Sequence, residues 1–553
     1  MTIRNPILRG FNPDPSIVRV GEDYYIATST FEWFPGVQIH GSRDLANWTL
    51  VKRPLERASQ LDMRGNPDSC GVWAPDLTYA QGRFHLIFTD VKRYGRTTAD
   101  GQSGMSLRDF HNYWVWSDRI DGDWSDPVHL GSSGFDPALF HDDDGRSWLL
   151  NMLWDYRPGQ RRFAGIVAQE MDLRAGRLIG DRRVIFEGTP LGFTEGPHLY
   201  HRNGWYHLMV AEGGTGRDHA VVMARSRNLL GPYEVHPDGT VLTARGKRRP
   251  GLARAGHGDL VDTPSGETWM VYLCGRPLQK SDRCIMGRET AIQPMRWGED
   301  GWLRTLDGSG DPVVEIAGSR VLPAESVAAE RLVFDGPDLP ASLQWLRTPH
   351  PEHIFSLSER PGHLRLHGRE SIGSLFSQAL VARRQQAFRF TAETAVAFAP
   401  VNFQQAAGLV CYYNGTKFHY LHVTADELGG RQIQVLSAYP RELGNSVLSD
   451  PMPIGPGVVE LRVDVDDEAL RFAYRLQGEG EWCWLDEVYD AGILSDEATL
   501  PGLPNFTGNF VGMACQDMAG TGLPADFAYF SYVERRADGS CAQVPQAAAA
   551  IRG

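Results

Sequence analysis

The chain has 553 residues, 42% of them hydrophobic and 22% charged, with a formal net charge of −13 and an isoelectric point near 5.7. That length exceeds what one hydrophobic core serves, so two or three domains are expected, with the composition of an ordinary soluble globular protein. The acidic balance excludes a nucleic-acid or anionic-membrane partner as the expected one, since either selects a basic face.

The first predicted elements are strands. Ser16-Ile17-Val18-Arg19-Val20, a glycine turn and Tyr24-Tyr25-Ile26-Ala27-Thr28 form a hairpin pattern. The same pattern returns at Arg83-Phe84-His85-Leu86-Ile87-Phe88 and Trp205-Tyr206-His207-Leu208-Met209. Runs of β-branched and aromatic residues bounded by Gly, Asp and Asn are strand signals. The turn glycines Gly21, Gly82, Gly145, Gly204 and Gly266 stand 61, 63, 59 and 62 residues apart. A fixed period of this size with β content predicts a propeller of five blades, the last ending near Trp302-Leu303-Arg304. No long stretch repeats every 3.6 residues, which argues against an α/β barrel.

The first domain is therefore expected over residues 1–315, and 316–330, rich in Gly, Ala, Ser and Pro, reads as a linker. A second β domain is expected over 331–536. There Val459, Leu461, Val463 and Val465 alternate with Glu460, Arg462, Asp464 and Asp466, the pattern of a half-buried strand, with Leu470, Phe472 and Tyr474 in its hairpin partner. Asn414-Gly415 marks a second hairpin. Strands at this spacing predict a β-sandwich, of the jelly-roll or concanavalin-like kind, and 537–553 reads as a disordered tail. The overall fold class is all-β. The seven cysteines are scattered, odd in number and without CxxC spacing, so reduced structural thiols are expected rather than a disulfide framework. No apolar run reaches transmembrane length, and the N-terminus lacks the apolar segment of a signal peptide, so a cytoplasmic location is expected.

Each predicted propeller repeat opens on a short motif. They are Asn12-Pro13-Asp14-Pro15, Trp73-Ala74-Pro75-Asp76, Phe135-Asp136-Pro137, Thr194-Glu195-Gly196-Pro197 and Gly256-His257-Gly258. The head of each repeat lies at one end of the central channel in such a fold. The sequence thus predicts that Asp14, Asp136, Glu195 and His257, with Asp76 or its neighbourhood, converge there. Any one Asp-Pro is as well read as a turn cap. Several carboxylates in one buried ring are a poor way to stabilise a fold, because desolvation and mutual repulsion disfavour their charged forms. They suit glycoside hydrolysis, in which a carboxylate activates water and a carboxylic acid of raised pKa protonates the leaving oxygen.

With Gly287-Arg288-Glu289-Thr290 and Asn505-Phe506-Thr507-Gly508 added, these motifs resemble glycoside hydrolase family 43, in particular its two-domain β-xylosidases, over nearly the whole chain. The resemblance implies Asp14 as general base, Glu195 as general acid, and Asp136 as the group that tunes and orients the acid. It implies inversion at the anomeric carbon. It also implies substrate binding by Arg288, Trp73, Phe31, Trp154, His257 and Phe506, the last from a loop of the second domain that closes one end of the site. The activity it implies is exo-acting hydrolysis of xylobiose and short β-1,4-xylooligosaccharides from the non-reducing end. No cofactor is required in this reading. The resemblance allows a water or a divalent cation, calcium first among them, on the propeller axis at His257, although a lone histidine is more often structural. Relatives imply a homodimer or homotetramer. The rival readings are an α-L-arabinofuranosidase or a bifunctional enzyme and, from another class, a non-catalytic carbohydrate-binding propeller. A WD-type interaction propeller disagrees with the period near 60.

Overall fold

Alternating apolar residues and tight glycine turns give this chain almost nothing but antiparallel strands. The computed structural model describes residues 2–95, 107–248, 250–317, 329–439, 446–498 and 505–536. Among them the only helical elements are two three-residue 3₁₀ turns, Pro351–His353 and Ala491–Ile493. The chain divides into two compact units, residues 1–324 with 501–506, and residues 325–500 with 507–553.

The first unit is a five-bladed propeller. Its blades open on the strands Ser16–Val20, Gly71–Ala80, Ala138–His141, Glu195–Arg202 and Ala253–Asp262, and each opening strand pairs with the next in its own sheet. These five strands also contact one another in cyclic order, the last touching the first. All five repeat glycines have positive φ at the hairpin turn, with open space where a Cβ would stand at Gly21, Gly82, Gly145 and Gly266. They are therefore kept for backbone conformation rather than packing. Apolar layers fill the gaps between neighbouring blades. Ile17 and Ile26 pack with Val261, Val271 and Ile292 across the first and fifth blades, and Ile87 and Trp114 with Leu139 and Leu149 across the second and third.

The ring is closed along its N-terminal segment. Leu8 and Thr290 exchange backbone hydrogen bonds, the Asn12 N–H donates to the Arg288 carbonyl, and the Asn5 amide bridges the carbonyl of Ile292 and its N–H. The strands Thr2–Arg4 and Glu315–Ala317 pair beyond it.

The second unit is a β-sandwich of two large antiparallel sheets in contact. One is centred on Arg389–Ala397, Val459–Asp466 and Pro524–Glu534, the other on Gln405–Asn414, Lys417–Ala425 and Phe510–Asp517. Val459–Asp466 buries every second residue, as its alternation predicts. Asn414 and Gly415 open the turn between Gln405–Asn414 and Lys417–Ala425. Residues 316–317 and 329–330, inside the stretch read as linker, lie in paired strands. The remainder of that stretch and the 537–553 tail lie outside the described residues. The cysteines at 70, 274, 284, 411, 483 and 515 are free thiols.

Candidate active site

The prolines set the register of the motifs. In the first, second, third and fourth blades the residue before the proline is Asp14, Ala74, Asp136 and Gly196, and His257 takes that place in the fifth. In the second, fourth and fifth blades the strand pairing skips at this point, as in a β-bulge. Asp14, Asp136, Gly196 and His257 have φ of 54°, 52°, 54° and 49°. That left-handed conformation is disfavoured for side chains other than Asn and Asp, and here it turns three of them to one end of the channel. Gly196 is forced by packing, since a Cβ there would stand 2.9 Å from Nε2 of His257. The fourth blade accordingly carries its carboxylate one residue earlier, at Glu195. Asp76, expected beside the other carboxylates, is two residues past the bulge position and sits one layer deeper.

Asp14, Asp136, Glu195, His257 and Arg288 line one pocket of about 230 Å³. Asp14 is fixed by two donors, the Ser29 hydroxyl at 2.6 Å and Nη1 of Arg288 at 3.3 Å. Asp136 accepts the backbone N–H of Gly196 at 3.1 Å, which ties it to the residue next to Glu195. Burial, then the charge of Asp136, then that of Asp14, push the Glu195 carboxyl well above the usual range, with Arg288 opposing. Asp136 is also pushed well up, by burial and by Asp14, but the Gly196 N–H and Arg288 offset part of this. Among the described residues Glu195 receives no such hydrogen bond, so the shared proton belongs on Glu195. Burial and the neighbouring charges of His198 and Arg288 push His257 down to about 3, so its ring is neutral, with Nδ1 at 3.8 Å from Asp14.

The rest of the pocket is aromatic. Phe31, Trp73, Tyr94, Phe135, Phe163, Phe193 and Phe506 line it. Trp73 makes edge contacts with Phe135 at 5.2 Å and with Phe506 at 5.6 Å. Phe506 belongs with the propeller unit. Its carbonyl accepts from Nη2 of Arg288 at 2.6 Å and its N–H donates to the Ser69 hydroxyl at 3.1 Å. Trp154 is a correction to the sequence reading. It is 9% exposed and outside the lining, packed behind Phe163 at 5.7 Å and under the Arg108 guanidinium. Tyr94, Arg108, Phe163, Phe193 and Thr215 carried no motif and were missed. Phe135 stood in its motif beside Asp136 and was readable from that place.

Below the carboxylates lies a second ring. Ser16 donates to Asp76 at 3.0 Å and to Asp259 at 3.1 Å, and the N–H groups of Leu139 and Ile17 donate to Asp76 and Asp259 at 2.7 Å. Tyr200 donates to Asp259 at 2.6 Å, and Nδ1 of His198 stands 3.5 and 3.7 Å from the two carboxylates. Asp76, His198 and Asp259 are close enough together to hold a metal ion, as are Asp142, Asp143 and His201 near the surface. His257 is in neither group. Calcium takes six to eight oxygen ligands, and among the described residues the carboxylate paired with His257 is Asp14, already held by Arg288 and Ser29. The His257 surroundings therefore fit a cation poorly.

The model for glycosyl hydrolases family 43 matches residues 3–303, and that for the β-xylosidase C-terminal concanavalin A-like domain matches 331–533. The chain is 52% identical over 538 residues to a xylosidase/arabinosidase of Humicola insolens, covering 96% of this chain and 97% of that one. It is 47% identical over 548 residues to a β-xylosidase of Bacillus subtilis, covering 97% of this chain and all of that one. The crystal structure of a xylan β-1,4-xylosidase from Bacillus halodurans superposes with a TM-score of 0.90 at 48% identity, covering 96% of this chain and 99% of that one.

Proposed function

Because the chain belongs to glycosyl hydrolase family 43, we propose that it is an inverting, exo-acting β-xylosidase that removes single xylose units from xylobiose and short β-1,4-xylooligosaccharides. The observation that carries this is the unequal treatment of three buried carboxylates in one aromatic pocket. Asp14 is held by two donors, Asp136 by one, and Glu195 is driven toward its acid form. Glu195 gives its proton to the glycosidic oxygen as the bond from that oxygen to the anomeric carbon breaks. Asp14 takes a proton from a water that attacks the same carbon from the opposite face, so one bond forms as the other breaks and the configuration inverts. Asp136 orients the backbone at Gly196 and supplies the charge that holds the Glu195 proton. All steps are proton transfers and one displacement, which carboxyl groups carry without a cofactor.

The pocket is smaller than the roughly 300–1,000 Å³ of sites for drug-sized ligands, which supports one bound sugar ring with the leaving group toward the mouth. Its aromatic faces suit the apolar side of a pyranose. A second reading, activity on arabinofuranosides as well, is favoured by the double name of the Humicola relative.

Proton NMR of xylobiose with the enzyme tests the proposal. α-Xylose appearing before mutarotation is the expected result. β-Xylose appearing first would require a covalent intermediate and new roles for Asp14 and Glu195. No cleavage of xylobiose with turnover of an arabinofuranoside would move the substrate to the second reading.

A further inference from the structure

Two arginines line the pocket, and they are held in different ways. Arg288 lies on the base side, bonded to Asp14 and to the Phe506 carbonyl and stacked 5.1 Å from the centre of the Phe31 ring. Arg108 is linked to it through rings, Tyr94 standing 5.7 Å from Phe506, whose ring Arg288 faces at 5.4 Å. The Arg108 guanidinium is pressed between the rings of Tyr94, at 3.6 Å, and Trp154, at 4.2 Å. The guanidinium donates a hydrogen bond to the Tyr94 hydroxyl, but its Nε is buried without a hydrogen-bond partner and no carboxylate pairs with it among the described residues. A half-buried cation with a buried donor unmade and no counter-charge beside it is costly unless a ligand completes it. A chain of rings locates Arg108 relative to the acid. Trp154 packs on Phe163 at 5.7 Å and Phe163 on Phe193 at 5.1 Å, and Phe193 is two residues before Glu195.

From this we infer that Arg108 is the specificity residue for the leaving sugar, its guanidinium donating to hydroxyls of the unit that departs from Glu195. This rests on the glycosidase reading above. Arg108 is part-exposed where Asp14, Asp136, Glu195 and Arg288 are buried, so it stands nearer the mouth, on the side to which the departing unit is assigned, and not against the ring that is attacked. A guanidinium held flat between two aromatic faces is oriented in advance and loses little freedom on binding. It adds a preference for a sugar over other leaving groups without assisting bond cleavage.

The test compares the natural enzyme with Arg108→Met and Arg108→Lys on xylobiose and on 4-nitrophenyl β-xyloside, whose departing group has no sugar hydroxyls. Arg108→Met should lower kcat/KM on xylobiose by about 10- to 100-fold, the size expected for hydrogen bonds from a charged donor. Most of that loss should lie in KM. The loss on the aryl substrate should be at least about tenfold smaller, and Arg108→Lys should recover part of the xylobiose activity. Equal losses on both substrates would overturn the assignment and leave Arg108 as wall packing. If the natural enzyme cleaves arabinosides instead, the same comparison with an arabinobiose and an aryl arabinofuranoside separates failure of the substrate reading from failure of the Arg108 reading. A natural enzyme inert on all four would remove both.

Discussion

Glu195 is asked to stay protonated near neutral pH within reach of two other carboxyl groups, and the structure supplies the means through burial first and repulsion second. Since catalysis needs its protonated form, activity persists as pH rises until it passes the raised pKa, and is lost above it. The Asp136→Asn change removes the larger of the two repelling charges and leaves burial in place. The alkaline limb of the kcat/KM profile on xylobiose should then move to lower pH, with the acidic limb less affected. An unmoved alkaline limb would mean that burial alone sets the acid. The Glu195→Ala variant should lose about 10²- to 10⁴-fold on xylobiose, the range of general acid catalysis. It should lose far less on an aryl xyloside whose leaving group needs little protonation, and equal losses would remove the acid role. The three carboxylates were legible in the sequence because each sits in a short motif fixed by proline or glycine. Trp154 and Arg108 were misjudged or missed for the opposite reason. Which of two side chains faces a pocket at a strand's end depends on local pairing and on neighbours from other blades, and neither leaves a mark in the sequence near residue 108.

The propeller's opening strands hold two separate rings, and the prolines tell them apart. Reading each repeat from its carboxylate set Asp76 beside Asp14. Reading it from Pro15, Pro75, Pro137 and Pro197 puts Ala74 there and moves Asp76 into the lower ring with Ser16, His198 and Asp259. That lower ring draws on all five blades, with Leu139 reaching in from the third and Tyr200 and His198 from the fourth. Its hydrogen bonds tie neighbouring blades together. The Asp76→Ala change would strand the Leu139 N–H and weaken the hold on the Ser16 hydroxyl, at a cost of about 2–4 kcal/mol for buried groups left unpaired. Burial first, and the charge of Asp259, raise Asp76 to about 6, with His198 opposing. Its folded pKa thus exceeds its unfolded value of 3.8. The stability it contributes is full below pH 3.8 and is lost as pH rises through about 6. Thermal melts should show Asp76→Asn losing less stability than the natural chain between pH 4 and 7. Parallel curves would mean that Asp76 is not the group titrating in that window.

At the scale of the molecule, the period of turn glycines was enough to predict five blades, and alternation with an Asn-Gly turn was enough for the sandwich. What a period does not convey is that the pocket's lining comes from both ends of the chain. Asp14 and Phe31 come from the first blade, Arg288 from the edge of the fifth, and Phe506 from far beyond the last propeller strand, Glu315–Ala317. Phe506 contributes two separable things, a carbonyl that holds Arg288 and a ring against Trp73. The Phe506→Ala variant keeps the backbone and loses the ring, so KM for xylobiose should rise about 10-fold or more, in line with a lost aromatic contact, while kcat changes less. Deleting residues 331–553 loses the carbonyl as well. Arg288 then keeps its bond to Asp14 and its place over Phe31 and is free to draw closer to the base. The deletion should therefore lower kcat as well as raise KM, provided circular dichroism shows the propeller still folded. If a folded deletion variant matched Phe506→Ala in both constants, the hydrogen bond to the Phe506 carbonyl would have no part in placing Arg288, and the pocket would need only the ring.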